Sequence, residues 1–223
     1  MNLQDLAAAA QAGPSGAASL KLFFLLTVLS FAPALVLSVT SFVRIIIVLS
    51  FLRQGLGTPQ LPPNQVLIGL ALFMTAFLMR PTLQGVYDNA VKPYLDDQIG
   101  YEEAANRGGV VLKGYLLPHT REQDLALFLD IAALPAPANI DEVPISVSIP
   151  AYMVSELTAG FRMGLSVLLP FAVIDLLVAA VMMSLGMMMV PPQMVGLPLK
   201  LGVFLAADGW HLVVATLARG IHG

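Results

Sequence analysis

The stretch from Leu165 to Leu185 is almost uniformly apolar, and it restricts the chain to few possible folds. A helix without a polar face is buried in protein or lies in lipid, and about 20 such residues are enough to cross a bilayer. The whole chain has the same character, since 57% of its residues are hydrophobic and 11% are charged, whereas soluble domains contain about 25% charged residues. The sequence therefore predicts an all-α, membrane-class protein.

Apolar runs and turn-forming residues divide the sequence into four segments. Residues 1–19 are rich in Ala and Gly and predict a flexible N-terminal tail. Residues 20–81 predict a first apolar helical hairpin, interrupted at Pro33 and turned by the Gly and Pro residues that follow Arg53. Residues 82–150, where acidic side chains outnumber basic ones, predict a small soluble domain, and residues 151–223 predict a second helical hairpin.

The acidic segment itself is expected to be mostly helical. The string TREQDLALFLDIAALP predicts a helix that Thr120 caps, with Gln123 completing a capping box. The string PAPANIDEVPISVSIP, which ends at Pro150, is rich in proline and predicts extended chain.

Basic residues near the first turn give an expected orientation. Arg44 and Arg53 have no acidic neighbour in the sequence, and Lys and Arg in short loops favour the cytoplasmic side. We therefore expect residues 82–150 on the outer, periplasmic side of a bacterial inner membrane. The next hairpin turn, GMMMVPP, should return to the cytoplasmic side.

Four ionisable side chains interrupt the apolar runs: Arg44, Asp175, Lys200 and Asp208. Each costs roughly 2.5–3.5 kcal/mol to insert in a bilayer, so such residues usually face protein or water. Counted along straight helices, Asp175 and Lys200 lie roughly 22 and 16 Å from the middle of the turn between them. We expect them to form a structural ion pair, either within one hairpin or between two copies, with a proton relay as the less favoured alternative.

Glu156 and the Asp208–Trp210 segment have expected roles of their own. Glu156 is expected on a solvated face, with an intersubunit pair to Arg162 or to a basic residue of another copy as the alternative. Asp208 precedes Gly209 and Trp210, a combination that favours close helix packing over chemistry.

The methionine-rich turn has two interpretations. Met187, Met188 and Met189 lie between Gly186 and Pro191-Pro192, which break helices. Methionine is unbranched and adapts to irregular surroundings. The turn is therefore either apolar filling of a membrane hairpin or a deformable seal on a pore.

The sequence also argues against several function classes. It contains no cysteine and neither a zinc-protease HExxH, a GxSxG elbow nor a phosphate-binding glycine loop. Its three histidines lack the spacing of metal ligands, and its net charge of −3 comes without a basic cluster for nucleic acid. We expect no enzyme activity, no metal and no cofactor. An intramembrane aspartyl pair of Asp175 and Asp208 stays a remote alternative.

Six strings resemble a known family of membrane proteins, FliP/SctR, which flagella share with virulence-type secretion systems. They are TSFVRIIIVLSFLRQ (Thr40–Gln54), PPNQVLIGLALF (Pro62–Phe73), TREQDLALF (Thr120–Phe128), PAYMVSEL (Pro150–Leu157), GMMMVPP (Gly186–Pro192) and PLKLGVFLAADGW (Pro198–Trp210). The resemblance covers about residues 33–217. TREQDLALF and GMMMVPP are more similar to the flagellar branch than to the injectisome branch.

The resemblance implies a pore-forming core subunit of the flagellar type III protein export gate, which conducts unfolded flagellar proteins across the inner membrane. It implies a homo-pentamer that joins FliQ and FliR in a right-handed helical assembly within the flagellar basal body, next to FlhB and FlhA. In that assembly the helical hairpins lie largely on the periplasmic side of the bilayer plane.

The resemblance also assigns roles to residues. Met187, Met188 and Met189 would form a ring that seals the channel, and Glu156, Asp175 and Lys200 would form intersubunit charge pairs. The alternatives are an injectisome gate subunit of the same family, or a proton or solute channel that uses Asp175 and Asp208.

Overall fold

A computed structural model of the chain describes residues 22–23, 26–27, 30–31, 33–34, 36–58, 60–135, 137, 139, 142–187 and 189–222. Among these residues there are helices and turns and no strand, so the predicted all-α class is confirmed. Contacts divide the chain into two units, Met1–Ser38 and Val39–Gly223. The described residues of the first unit are helical, and the predicted tail at 1–19 lies outside the described residues.

The first apolar run is broken by a turn between Pro33 and Arg44. Pro33 is helical, whereas residues 39–41 form a turn. The hydroxyl of Thr40 accepts a hydrogen bond from the backbone N–H of Phe42, and such local bonds compete with helix formation. Helix α1 (Phe42–Leu56) begins after this turn. It is terminated by the next residue, Gly57, whose φ of 74° is the left-handed conformation that glycine adopts without strain.

The second apolar run bends where Arg80-Pro81 follows it. Helix α2 (Asn64–Leu78) is followed by α3 (Arg80–Val86), a π-helical turn (Tyr87–Val91) and α4 (Lys92–Leu95). The axis changes direction by 61° at this junction. Next come α5 (Tyr101–Leu116), a 3₁₀ turn (Leu117–His119) and α6 (Glu122–Ile131).

Helix α6 is capped by a tertiary contact, so the predicted capping box of Thr120 and Gln123 is wrong. The hydroxyl of Thr120 instead donates to the carbonyl oxygen of Leu116. The residue at the cap position is Arg121, whose backbone N–H donates to the hydroxyl of Ser155 in the following long helix.

Helix α7 (Ile145–Ser184) has 40 residues and contains Pro150 and Pro170. It is about 60 Å long, which is twice the hydrocarbon thickness of a bilayer. It begins at Ile145, so the extended chain predicted up to Pro150 is wrong for its last six residues. Helices α8 (Gln193–Ala206) and α9 (Gly209–His222) follow, bent by 64° relative to each other.

The unit Val39–Gly223 has one large apolar core and one small core. The large core joins α1, α2 and α9 with single residues from α7 and α8; its innermost members are Ile45, Leu49, Ala71 and Leu217. The small core joins the 3₁₀ turn, α6 and the start of α7. The proposed segments 20–81, 82–150 and 151–223 stay predictions, because Val39–Gly223 is compact as a whole.

By length and composition, one described helix, α7, is long and apolar enough to cross a membrane. The number rises to three if each bent pair, residues 64–95 and residues 193–221, is one span. Most of the apolar part of α7 is exposed in the single chain.

Candidate functional site

The methionine loop, defined as residues 186–190, is a compact turn built by its backbone. Gly186 has a φ of 74°, and its N–H donates to the carbonyl oxygen of Met183, while the N–H of Met187 donates to that of Met182. These two bonds form a Schellman motif, which satisfies the last carbonyl groups of a helix. Pro191 and Pro192 then lead into α8, so the predicted turn between two apolar helices is confirmed.

The two described methionine side chains of the loop are exposed on the single chain. Met189 is 96% exposed and Met187 is 44% exposed. Met188 lies outside the described residues. Met183 and Met194, which flank the loop on α7 and α8, are also largely exposed. The loop therefore presents soft apolar side chains at the tip of a helical hairpin.

Asp175 and Lys200 meet within one chain, as their spacing predicts. The Lys200 ammonium lies 2.9 Å from a carboxylate oxygen of Asp175, and the exposed side-chain fractions are 6% for Lys200 and 47% for Asp175. A Cβ added at Gly57 would lie 3.0 Å from Nζ of Lys200. The pair therefore joins α7 to α8 next to Gly57, the residue that follows α1.

Glu156 is buried and paired, so its expected position on a solvated face is wrong. It is 1% exposed, Arg44 is 5% exposed, and Nε of Arg44 donates to Oε2 of Glu156 at 3.0 Å. A second hydrogen bond runs from Nη2 of Arg44 to Oε1. The partner is thus Arg44 of α1, not Arg162. Arg44 also donates to the carbonyl oxygen of Gly220, near the end of α9.

A second polar cluster joins the start of α6 to α7. Arg121 donates to both carboxylate oxygens of Asp124, at 2.7 and 2.8 Å, and Ser155 also donates to Asp124. Burial alone would raise the pKa of the Asp124 carboxyl. The hydrogen bonds from Arg121 and Ser155 and the charge of Arg121 outweigh burial, so its pKa lies below the ordinary value.

His119 connects this region to the end of the chain. Its Nδ1 lies 2.7 Å from the carbonyl oxygen of Tyr115, and its Nε2 lies 2.7 Å from that of Ile221. His119 is one of the three histidines whose spacing argued against a metal site, and this structural role was not predicted. The local sequence, a proline and a histidine directly before a predicted helix, indicates a turn. It does not indicate the contact with Ile221, which lies 102 residues away.

Asp208 lies at a corner between two helices, so the prediction that it lies within a helix is wrong. Its φ is 49°, its side chain is exposed, and its carbonyl oxygen accepts the N–H of Leu212. At the same corner, a Cβ added to Gly209 would lie 2.1 Å from the ring of Phe204. The Trp210 ring packs edge-to-face on that ring at 5.5 Å. Close packing at Gly209 thus takes place against a side chain of the preceding helix.

The described residues bring the charged groups together as pairs. Within the part of the chain that the structure describes, no three His, Asp or Glu side chains converge as metal ligands would. Each buried carboxylate faces a cation, an arrangement that holds helices together.

Comparisons with known proteins agree with the motifs. The model of the FliP family matches residues 25–217. A flagellar biosynthetic protein FliP from Cereibacter sphaeroides is 49% identical over 95% of this chain and 70% of its own length. One from Pectobacterium carotovorum is 50% identical over 94% of this chain and 81% of its own length. The FliP of Bacillus subtilis is 44% identical over 90% of this chain and 91% of its own length.

Proposed function

Because the chain belongs to the FliP family and is therefore a flagellar biosynthesis protein, we propose that it is a pore-forming core subunit of the flagellar type III protein export gate. Its place is the inner membrane at the flagellar basal body, with residues 82–150 on the periplasmic side. Its cargo is unfolded flagellar protein. The chain acts as structure, without catalysis.

One observation carries this proposal: the methionine loop is an apolar turn at the tip of the α7–α8 hairpin, and its described methionines, Met187 and Met189, are exposed there. Exposed apolar side chains at a hairpin tip are unfavourable in water. Copies of the loop meeting around an axis would cover one another. Because methionine changes rotamer at little cost, such a ring closes on itself and still deforms around a passing chain.

The surface of α7 supports assembly into a larger complex. Its exposed large apolar side chains recur along the second half of the helix: Leu165, Leu169, Val173, Leu176, Leu177 and Val181. Exposed patches of this kind mark protein or membrane interfaces. We propose that they pack against further copies in a homo-pentamer and against FliQ and FliR, with FlhB and FlhA adjacent.

The charge pairs have a supporting role in this proposal. Arg44–Glu156 joins α1 to α7, and Asp175–Lys200 joins α7 to α8, within one chain, so these helices are held together before copies meet. Asp175 is half-exposed, and this leaves its carboxylate accessible to a basic residue of a neighbouring copy. We propose that Asp175 forms the ion pair between subunits, whereas both carboxylate oxygens of Glu156 are bonded to Arg44 of the same chain.

The test replaces Met187, Met188 and Met189 together with Ala, in the chain assembled with its membrane partners. We expect higher ion conductance across planar bilayers with assembly on native gels preserved, because the apolar area of the seal is lost. A variant with Leu at the same three positions is the matched control, since it keeps that area; its conductance should stay near the native level. Native conductance in the Ala variant would overturn the seal.

A proton or solute channel formed by the chain alone would give flux in vesicles that contain only this protein. We expect none, because Asp175 is paired with Lys200 and Asp208 lies on an exposed corner. Flux that depends on either Asp would instead favour the channel.

A further inference from the structure

The imidazole of His119 lies between two backbone carbonyl groups. Its Nδ1 is 2.7 Å from the carbonyl oxygen of Tyr115, one turn earlier, and its Nε2 is 2.7 Å from that of Ile221, at the end of α9. Both distances are those of good hydrogen bonds. The ring therefore bridges the turn between α5 and α6 to the C-terminal end of the last helix.

Both contacts require an N–H on the imidazole. A carbonyl oxygen only accepts hydrogen bonds, and a neutral imidazole carries a single N–H. In the neutral form one ring nitrogen would direct its lone pair at a carbonyl oxygen, and that contact would be repulsive. The geometry thus fits the doubly protonated imidazolium.

Charged and aromatic groups surround the imidazole. The Glu156 carboxylate interacts electrostatically with His119, and the Tyr115 ring packs on the imidazole with centroids 4.6 Å apart. The last carbonyl groups of a helix carry partial negative charge and attract cations. Arg44 donates to Gly220, the residue before Ile221, so the side chains of Arg44 and His119 contact neighbouring carbonyl groups of α9.

We propose that His119 is a pH-sensitive latch that holds the C-terminal end of α9 against the α5–α6 turn while both ring nitrogens are protonated. Histidine is the side chain that ordinarily changes charge between about pH 5 and 8. Raising the pH removes one proton, replaces one hydrogen bond by a repulsive contact and releases the end of α9. This inference is independent of the proposed pore.

Other groups near the ring do not produce the same response. The Arg44 guanidinium stays charged throughout this range, and burial raises the pKa of the Tyr115 phenol, which stays neutral. Tyr152 contacts Tyr115 through its hydroxyl. Glu156 also faces the site. The variant His119→Gln distinguishes a response of the Glu156 carboxyl from one of the imidazole, because only the former would survive in that variant.

The protonation state is tested directly by ¹⁵N NMR of histidine-labelled full-length chain in detergent. In a background with His211→Gln and His222→Gln, His119 is the single remaining histidine. We expect both ring nitrogens to carry a proton in mild acid and one of them to lose it as the pH rises. A singly protonated ring throughout, from about pH 5.5 to 8.5, would overturn the latch.

Release of the helix end is tested by a distance between two spin labels. The chain has no cysteine, so Gly114→Cys on α5 and Arg219→Cys on α9 give the only labelling sites. Arg219 is exposed, and a Cβ at Gly114 meets nothing within 4 Å among the described residues. We expect a single short distance in mild acid and loss of that population as the pH rises.

Two variants decide whether His119 is responsible. His119→Gln should lack the short-distance population already in mild acid and show no pH response. His211→Gln is the matched control, because His211 is an exposed histidine on α9, and it should keep the full response. A pH response that survives in His119→Gln, or a native distance that does not change with pH, would overturn the proposal.

Discussion

Replacing Glu156 with Gln should be among the most destabilising conservative changes in this chain. The substitution keeps the size of the side chain and removes its charge. It leaves the Arg44 guanidinium, which is 5% exposed, without a counter-charge. Removing one member of a buried ion pair costs about 3–5 kcal/mol, which is roughly two to three and a half orders of magnitude in the unfolding equilibrium. The remaining bond from Arg44 to Gly220 cannot offset this, because a carbonyl group carries no net charge.

The chain contains a matched control for this change. Glu103 pairs with Arg107 one turn later on α5, and both side chains are about half exposed. Exposed pairs of this kind contribute roughly 0.3–0.5 kcal/mol. Glu103→Gln is chemically the same substitution, so the difference between the two variants reports burial. The measurement is the free energy of unfolding of each variant, from denaturant titration in one detergent.

A double variant separates the ion pair from general disruption. Arg44→Met combined with Glu156→Leu removes both charges and leaves no orphan, so it should be more stable than Glu156→Gln alone. The reasoning is refuted if Glu156→Gln costs no more than Glu103→Gln. It also fails if the costs at the two positions simply add in the double variant.

Two other substitutions test the polar cluster and the corner. Asp124→Asn should lower the free energy of unfolding at neutral pH. Because the pKa of Asp124 is lowered in the folded chain, its contribution to stability is full above about pH 3.9 and disappears as the pH falls through the folded pKa. The free energies of unfolding of the native chain and of Asp124→Asn should therefore converge in acid. A difference between them that stays constant with pH would contradict this. Gly209→Ala places a Cβ 2.1 Å from the Phe204 ring, and such overpacking costs about 1–3 kcal/mol. The control Gly202→Ala, where a Cβ meets nothing within 4 Å among the described residues, should melt at or above the native temperature, and equal melting temperatures for both variants would exclude the clash.

Local chemistry made part of the site predictable. Gly186 ends α7 and Pro191-Pro192 precede α8, and both effects depend on local backbone conformation alone. The methionine turn therefore follows from the sequence. The Asp175–Lys200 contact follows from the constant rise of two antiparallel helices that share that turn. In both cases the residues that decide the structure lie within about one hairpin of each other.

Contacts between distant segments were not predictable in this way. Arg44 and Glu156 are 112 positions apart, and nothing in either local sequence indicates the other. The cap of α6 comes from Ser155 of α7, so a plausible local cap at Thr120 was misleading. The bends near Met79 and Asp208 lie in apolar runs, where hydrophobicity predicts burial but does not determine the direction of the axis.

The pairing of Arg44 also changes how orientation can be argued from this sequence. The rule that Lys and Arg mark the cytoplasmic side applies to charges in short loops. Arg44 is neutralised inside the chain by Glu156, so Arg53 is left to support that argument in the first turn. The chain buries several charges as pairs and leaves large apolar side chains of α7 exposed, the reverse of a soluble monomer. Such a surface is stable against lipid or other apolar protein, as the proposed gate subunit requires.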